Sequence, residues 1–418
     1  MGYRNSWLSY RQASQFRLLS RIRQGEGYRV DVKTRKSVAT LRLNFFFLGV
    51  LVAGWSTRIP ELKTALDLTD AQLGRCLIGS AGGAFFSSRV LGKLIKNLGT
   101  KKTFILGSFI FPLGYLTIAF GPSVFYVFLG CFFFCIGYLF MDNPMTIITQ
   151  EIEAQEDRKY LSGFHGFWSL GTLFAAFFGS FLIGHVKYSY HLTGLAIISF
   201  IVLMVSSRSL SDKKVDNKSS EKDTFVWRSR IGFEVLIIGL GMLCSNSSEF
   251  GATDWSALYM RDILGITGQL YVGAYLFFEM GMVLSRLLGD KFIHKFGAGK
   301  VVSYCGLVGS LAWLAGVIIG ENLHDANKVL AYLIVVIGYF FAGAGVGPIF
   351  PGLITMLGKV KGIDMSMALS RAFLIAIVGF AGVPALIGLI SDATSLATAM
   401  LLPIALLFTA GLIGRVRH

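Results

Sequence analysis

The stretch Ser285-Arg286-Leu287-Leu288-Gly289-Asp290-Lys291-Phe292-Ile293-His294-Lys295-Phe296-Gly297 decides the fold, because the chain carries it twice. Far upstream stands Ser88-Arg89-Val90-Leu91-Gly92-Lys93-Leu94-Ile95-Lys96-Asn97-Leu98-Gly99. Each copy closes a long apolar run and then turns at a glycine beside lysines. Arg89 and Arg286 are 197 residues apart (286 − 89), close to half of the 418-residue chain, and Trp55-Ser56 recurs as Trp255-Ser256 at an offset of 200. Two related halves, each rich in apolar runs of membrane length, read as an internally duplicated, all-α membrane protein.

Composition supports this. Only 15% of residues are charged, against about 25% in an ordinary soluble domain, while 54% are hydrophobic and the mean hydropathy is +0.62. The apolar runs last about 20 residues, the length of a bilayer-crossing helix, and are continuous rather than alternating, which excludes a barrel. Twelve spans are predicted, at about residues 37–57, 73–95, 103–121, 123–148, 162–185, 190–207, 231–259, 268–293, 300–320, 328–357, 365–391 and 395–414. They divide into two six-helix bundles, 37–207 and 231–418. A basic N-terminal tail (1–36), with no cleavable signal before the first span, and a solvated linker (208–230) complete the chain. Lys93, Lys96, Lys101, Lys102, Arg158, Lys159, Lys291, Lys295, Lys300, Lys359 and Lys361 fall in alternate loops, and Arg415 and Arg417 at the C-terminus. By the positive-inside rule, both termini are then cytoplasmic and the protein sits in the cell (inner) membrane. The formal charge of +15 lies in these short loops, so it does not imply a nucleic-acid partner.

The five cysteines all lie in apolar runs without a CxxC pair and read as packing residues. No metal or cofactor constellation is expected. The six histidines are scattered, so convergent enzymatic groups are not expected either. Gly343-Ala344-Gly345-Val346-Gly347-Pro348 lacks the βαβ context of a nucleotide fingerprint and reads as a bent, close-packed helix. A duplicated helical membrane protein without an ATP-binding motif reads as a secondary transporter, with a small-molecule substrate, protons and the lipid bilayer as its partners, working as a monomer.

Ionisable and polar groups at membrane depth are costly and face a cavity or a partner. They supply the candidate site: Asp142, Asn143, Asn246, Glu249, Trp255, Glu279 and Arg371 for substrate, with Asp142, Glu249 and Glu279 for proton coupling. A structural ion pair competes for Asp142, and an internal pair with Arg286, seven residues on, competes for Glu279. Arg42 and Arg89 lie nearer span ends and can snorkel. His165 and Trp168 open the fifth span and read as structural residues. The central site is expected between the first, fourth, seventh and tenth spans. An amphipathic-drug exporter, suggested by the 36 phenylalanines, and a transport-dead receptor on the same fold are the alternatives.

The repeated loops resemble the signature loop of the major facilitator superfamily, with Gly92 to Lys102 and Gly289 to Lys300 in the two places. Thr57-Arg58-Ile59-Pro60-Glu61-Leu62-Lys63, Phe164-His165-Gly166-Phe167-Trp168-Ser169-Leu170-Gly171 and Asp254-Trp255-Ser256-Ala257-Leu258-Tyr259-Met260-Arg261-Asp262 resemble, within it, the YbjJ-type inner membrane group, related to the fucose permease branch. The resemblance implies that Arg89, Arg286 and Asp290 gate the cytoplasmic side, Asp290 by meeting the start of the eleventh span near Gly362-Ile363-Asp364. It departs from the family at Lys93 and Lys96, where the first loop lacks its acid. It departs again at Thr146, where the group's fourth span tends to carry Asn.

Overall fold

The computed structural model describes residues 32–156, 160–214 and 227–416, and the described residues are all helix, turn and loop. The basic segment 1–31, loop residues Arg158 and Lys159, and linker residues 215–226 lie outside them. Helix α1 (Val32–Ser56) leads through short α2 (Ile59–Ala65) to α3 (Asp70–Leu98), α4 (Thr100–Phe120), α5 (Val124–Glu156), α6 (Leu161–Ser180) and α7 (Tyr188–Ser207). The second half begins with α8 (Arg230–Leu258), a π-helical turn (Tyr259–Ile263) and a 3₁₀ turn (Gly268–Val272). It continues with α9 (Gly273–Phe296), α10 (Ala298–Leu323), α11 (Lys328–Val346), α12 (Ile349–Leu357), α13 (Met365–Ala393), α14 (Leu396–Ala399) and α15 (Leu401–Ile413).

Ten of the helical segments among the described residues are long and apolar enough to cross a membrane. With α3 and α6 they account for all twelve expected spans. Several helices start on a side-chain cap. Thr69 and Gln72 cap α3 reciprocally (Gln72 N to Thr69 Oγ1 3.2 Å, Thr69 N to Gln72 Oε1 2.9 Å), and Asn327 caps α11 (3.0 Å from Leu330 N). Such caps satisfy amide donors that have no partner within the helix. The expected tenth span is broken into α11 and α12 at Gly347-Pro348, because proline cannot donate to the ladder and clashes with the turn before it.

The two halves pack by one scheme. In the first, α1 lies on α6, α3 on α5, and α4 on both α5 and α7; in the second, α8 lies on α13, α9 on α11, and α10 on both α11 and α15. These are two pseudo-symmetric six-helix bundles, as the duplicated sequence implies. Small residues set the approach, as expected where apolar burial alone cannot hold helices together in lipid. A Cβ on Gly79 would stand 2.1 Å from Phe128 O, and one on Gly83 2.4 Å from Phe132 O, both between α3 and α5. The equivalent seam of the second half repeats the device, with Gly281 against Phe340 O (2.0 Å) and Gly343 against Phe278 O (1.9 Å). Between the halves, α3 meets α13 and α6 meets α9.

The seam yields a test. Gly343→Val must push α9 and α11 apart, at an overpacking cost of about 1–3 kcal/mol, and should lower the unfolding temperature of the purified protein. Gly194→Ala should not, because nothing lies within 4 Å of the added methyl.

Candidate functional site

Three spans bring the central polar groups together. Arg286, on α9, reaches Glu249 of α8, with Nη2 to Oε1 at 3.3 Å and to Oε2 at 3.4 Å. The same guanidinium crosses between the halves: Nη1 donates to Ser169 Oγ of α6 at 3.2 Å, and the carbon of the guanidinium lies 5.8 Å from the centre of the Trp168 ring. Two turns before Arg286 on α9, buried Glu279 accepts from Thr172 Oγ1 of α6 at 2.9 Å. Thus α6 turns Trp168 and Ser169, and Thr172 three and four residues on, toward α9. The expected internal Glu279–Arg286 pair is corrected: Arg286 pairs with Glu249, and Glu279 is answered by a hydroxyl of the other half. Arg286 is drawn into the centre rather than held at the loop. The side chain of Asp290 lies outside the described residues.

The remaining predicted residues surround this cluster unevenly. Asp142 is half-buried on α5, and its Oδ1 is buried with no hydrogen-bond partner among the described residues, so the competing structural ion pair does not form through that oxygen. Tyr138, one turn before it on the same face, lies within electrostatic reach of Asp142, Glu249 and Arg286. Asn143 is spent locally, its amide donating to Leu139 O at 3.1 Å. Asn246 is half-buried one turn before Glu249, between Ser245 and Ser247, whose buried hydroxyls have no partner among the described residues. Trp255 is fully buried in the core and offers no open surface in this conformation. Arg371 is half-buried in α13. Arg89 is exposed, its guanidinium 4.5 Å from the centre of the Phe85 ring.

A second polar layer closes the end of the molecule that carries α2. Lys63 bridges Asp70 of its own half (2.5 Å) and Asp262 of the other (3.0 Å). Arg261 returns the connection, donating to Thr64 Oγ1 at 2.9 Å and Pro60 O at 2.5 Å. Asp70 also binds α13, its backbone amide donating to Asp392 Oδ1 (2.9 Å) and its carboxylate accepting from Ser391 Oγ (2.5 Å). Beneath lies fully buried Arg58, paired with Glu61 at 2.6 Å and donating to Val186 O. Burial works against the Lys63 charge, but its bonds and attraction to Asp70 and Asp262 outweigh that and hold its pKa above the usual lysine value.

Sequence reading took Trp168 as structural, gave Ser169 no role, and did not anticipate the α2-end layer. One signal was present: Lys63 and Asp262 are 199 apart (262 − 63), near the repeat that relates Trp55 to Trp255. A site confined to the first, fourth, seventh and tenth spans accounts for Asp142 and Glu249 but not for the contributions of α6 and α9.

The family model of the Major Facilitator Superfamily matches residues 43–357. The chain belongs to the major facilitator superfamily. It is an integral membrane protein of a transporter class, not an enzyme. A relative in Yersinia pestis, an uncharacterised MFS-type transporter, is 28% identical over 374 residues, covering 86% of this chain and 90% of that protein. A glucose/galactose transporter of Brucella abortus is 24% identical over 406 residues, covering 90% and 94%. Among solved structures, the nucleoside transporter NupG superposes with a TM-score of 0.69 at 14% identity, over 91% of this chain and 99% of that one. A bacterial homologue of the human lysosomal transporter Spinster, in its inward-facing, unoccupied conformation, gives 0.67 at 14% identity, over 92% and 98%.

Two measurements probe this superfamily member. If Arg286 and Glu249 act as a pair, R286Q and E249Q should each cost about 1–3 kcal/mol, and the double variant should unfold no earlier than the worse single one. For the α2-end layer, a lysine pKa raised by folding contributes stability that is fully present below the unfolded value of about 10.4 and is lost as pH rises through the folded value. The unfolding temperature should therefore owe nothing to Lys63 titration between about pH 6 and 9 and fall beyond it, a fall that K63M should diminish.

Proposed function

We propose that this protein is a proton-coupled secondary transporter of a small, uncharged polar solute, bound between the halves at the Arg286–Glu249–Trp168 cluster. The observation that carries this reading is the bond from Arg286 to Ser169, which joins the halves at the level where buried polar atoms of Asp142, Trp168, Ser245 and Ser247 have no partner among the described residues. Buried donors and acceptors of this kind need a ligand or water to satisfy them. A solute rich in hydroxyls fits, since it donates to Asp142 and accepts from Trp168 Nε1, while an indole face suits a ring. A simple anion fits poorly, because Arg286 already has its carboxylate. The Brucella abortus relative is by name a glucose/galactose transporter, and NupG a nucleoside transporter; both names are of the same solute kind.

The direction of opening follows from charge. The lysine-rich loops at 93–102 and 291–300 mark the cytoplasmic face, so the α2 end faces outward and both termini lie inside, in the inner membrane. The Lys63 and Asp70 contacts hold the halves together on the outer side, the arrangement of an inward-facing state in an alternating-access cycle. Absence of an ATP-binding motif leaves an ion gradient as the drive, with Asp142, Glu249 and Glu279 as the carboxylates at membrane depth that exchange protons. Within the superfamily, the quoted motifs around Arg58, His165 and Asp254 favour the YbjJ-type group, and the protein works as a monomer.

Purified protein should be screened by thermal shift against neutral sugars, nucleosides, amino acids and organic anions, then reconstituted with the best stabiliser. Saturable, gradient-driven uptake is expected; D142N should lower it at least about tenfold, the effect of losing about 1.4 kcal/mol of binding. Uptake without response to a proton gradient, or uptake that D142N leaves intact, removes the coupling role of Asp142. Stabilisation by anions alone overturns the solute class.

A further inference from the structure

The duplication that relates the halves is broken at one buried position. Gly54-Trp55-Ser56 ends α1, and Asp254-Trp255-Ser256 stands at the same place in α8, 200 residues on (255 − 55). Ser56 Oγ donates across the interface to Asp254 Oδ1 at 3.4 Å. The mirror bond would run from Ser256 to residue 54, which is glycine. Ser256 is fully buried, and its hydroxyl has no partner among the described residues. Packing favours the asymmetry: a Cβ at Gly54 would lie 2.3 Å from Leu195 Cδ1 and 3.4 Å from Tyr115 Oη, so a side chain there requires Leu195 of α7 to turn away.

We propose that Asp254 is a positioning residue that fastens the two halves at the α2 end through Ser56, as the single latch of a duplicated position. Three elements face it. Ser56 comes from α1, while Cys131 of α5 and Tyr275 of α9 lie within electrostatic reach. The nearby cations have other duties, Lys63 on Asp70 and Asp262, Arg261 on Pro60 and Thr64. The latch therefore joins a carboxylate to a hydroxyl, without a cation, beneath the charged layer. It exists only while α1 and α8 touch, and parting them strands the carboxylate in the opening between the halves. This inference rests on the alternating-access reading, since a latch matters only where the halves separate.

The test uses the full chain in lipid nanodiscs, with the native cysteines replaced by alanine and spin labels at Ala65→Cys and Ala326→Cys, both exposed at this end. Pulsed electron resonance then reports how often it opens. D254A and S56A should each raise the open-to-closed ratio about twofold, the value of a long hydrogen bond at the weak end of the usual range. The double variant should open no further than either single one. D254N keeps the acceptor oxygen and should stay near the parent, and S256A, which removes a hydroxyl without a partner, should match it. If D254A fails to fold, S56A against D254N and S256A carries the comparison. Additive effects of D254A and S56A, no effect of S56A, or an S256A effect equal to that of S56A overturns the latch. Opening in K63M but not in S56A or D254A refutes the latch alone; no opening in any variant, K63M included, contradicts alternating access as well.

Discussion

A charge placed inside a bilayer must be answered by another charge or by hydrogen bonds, because lipid offers neither. Arg286 is the clearest case. It sits on a helix that otherwise presents leucine and phenylalanine to the hydrocarbon, and its answer comes partly from Glu249 of its own half and partly from Ser169 of the other. The second contact gives the site its form. Because one partner belongs to the opposite bundle, the guanidinium holds both of its partners only where the halves meet.

The glycine seams serve the same end by another route. Backbone-to-backbone approach at Gly281 and Gly343 makes α9 and α11 a unit, as Gly79 and Gly83 do for α3 and α5. Close glycine seams thus recur within each half, while polar side chains join one half to the other at both layers. Contacts between the bundles include a charged one, Lys63 with Asp262, and hydroxylic ones at Thr172 and Ser391, beside a close glycine approach of α3 to α13 at Gly74 and Gly388.

Much of this was legible in the chain. Period, run length and the duplicated Ser-Arg loop fix twelve spans and two halves, because lipid leaves few alternatives to helix. The central acids were legible for a related reason: Glu249 and Glu279 are conspicuous in apolar runs. Their partners were not. Which carboxylate Arg286 takes depends on the relation of α8 to α9, which no spacing along one helix encodes; the spacing pointed only to Glu279, seven residues away. Trp168 and Ser169 were hidden because aromatic and hydroxyl residues are ordinary at span ends, and only the approach of α6 to α9 gives them a role. The α2-end layer was hidden because charges in a short loop look solvated until the other half arrives.

The connector between the halves is not free along its whole length. Thr100 N donates to Lys213 O (2.8 Å), its hydroxyl donates to Ser211 O (3.1 Å), and Asp212 accepts from Lys101 N (3.2 Å) at the start of α4, while Lys213 also pairs with Glu151. Pinned this way, the first residues after α7 travel with the first bundle. From Lys214 to Trp227 the chain has 13 steps (227 − 214), at most about 45 Å when fully extended. That length sets an outer bound on the separation of Lys214 and Trp227, and so on how the two bundles can be placed.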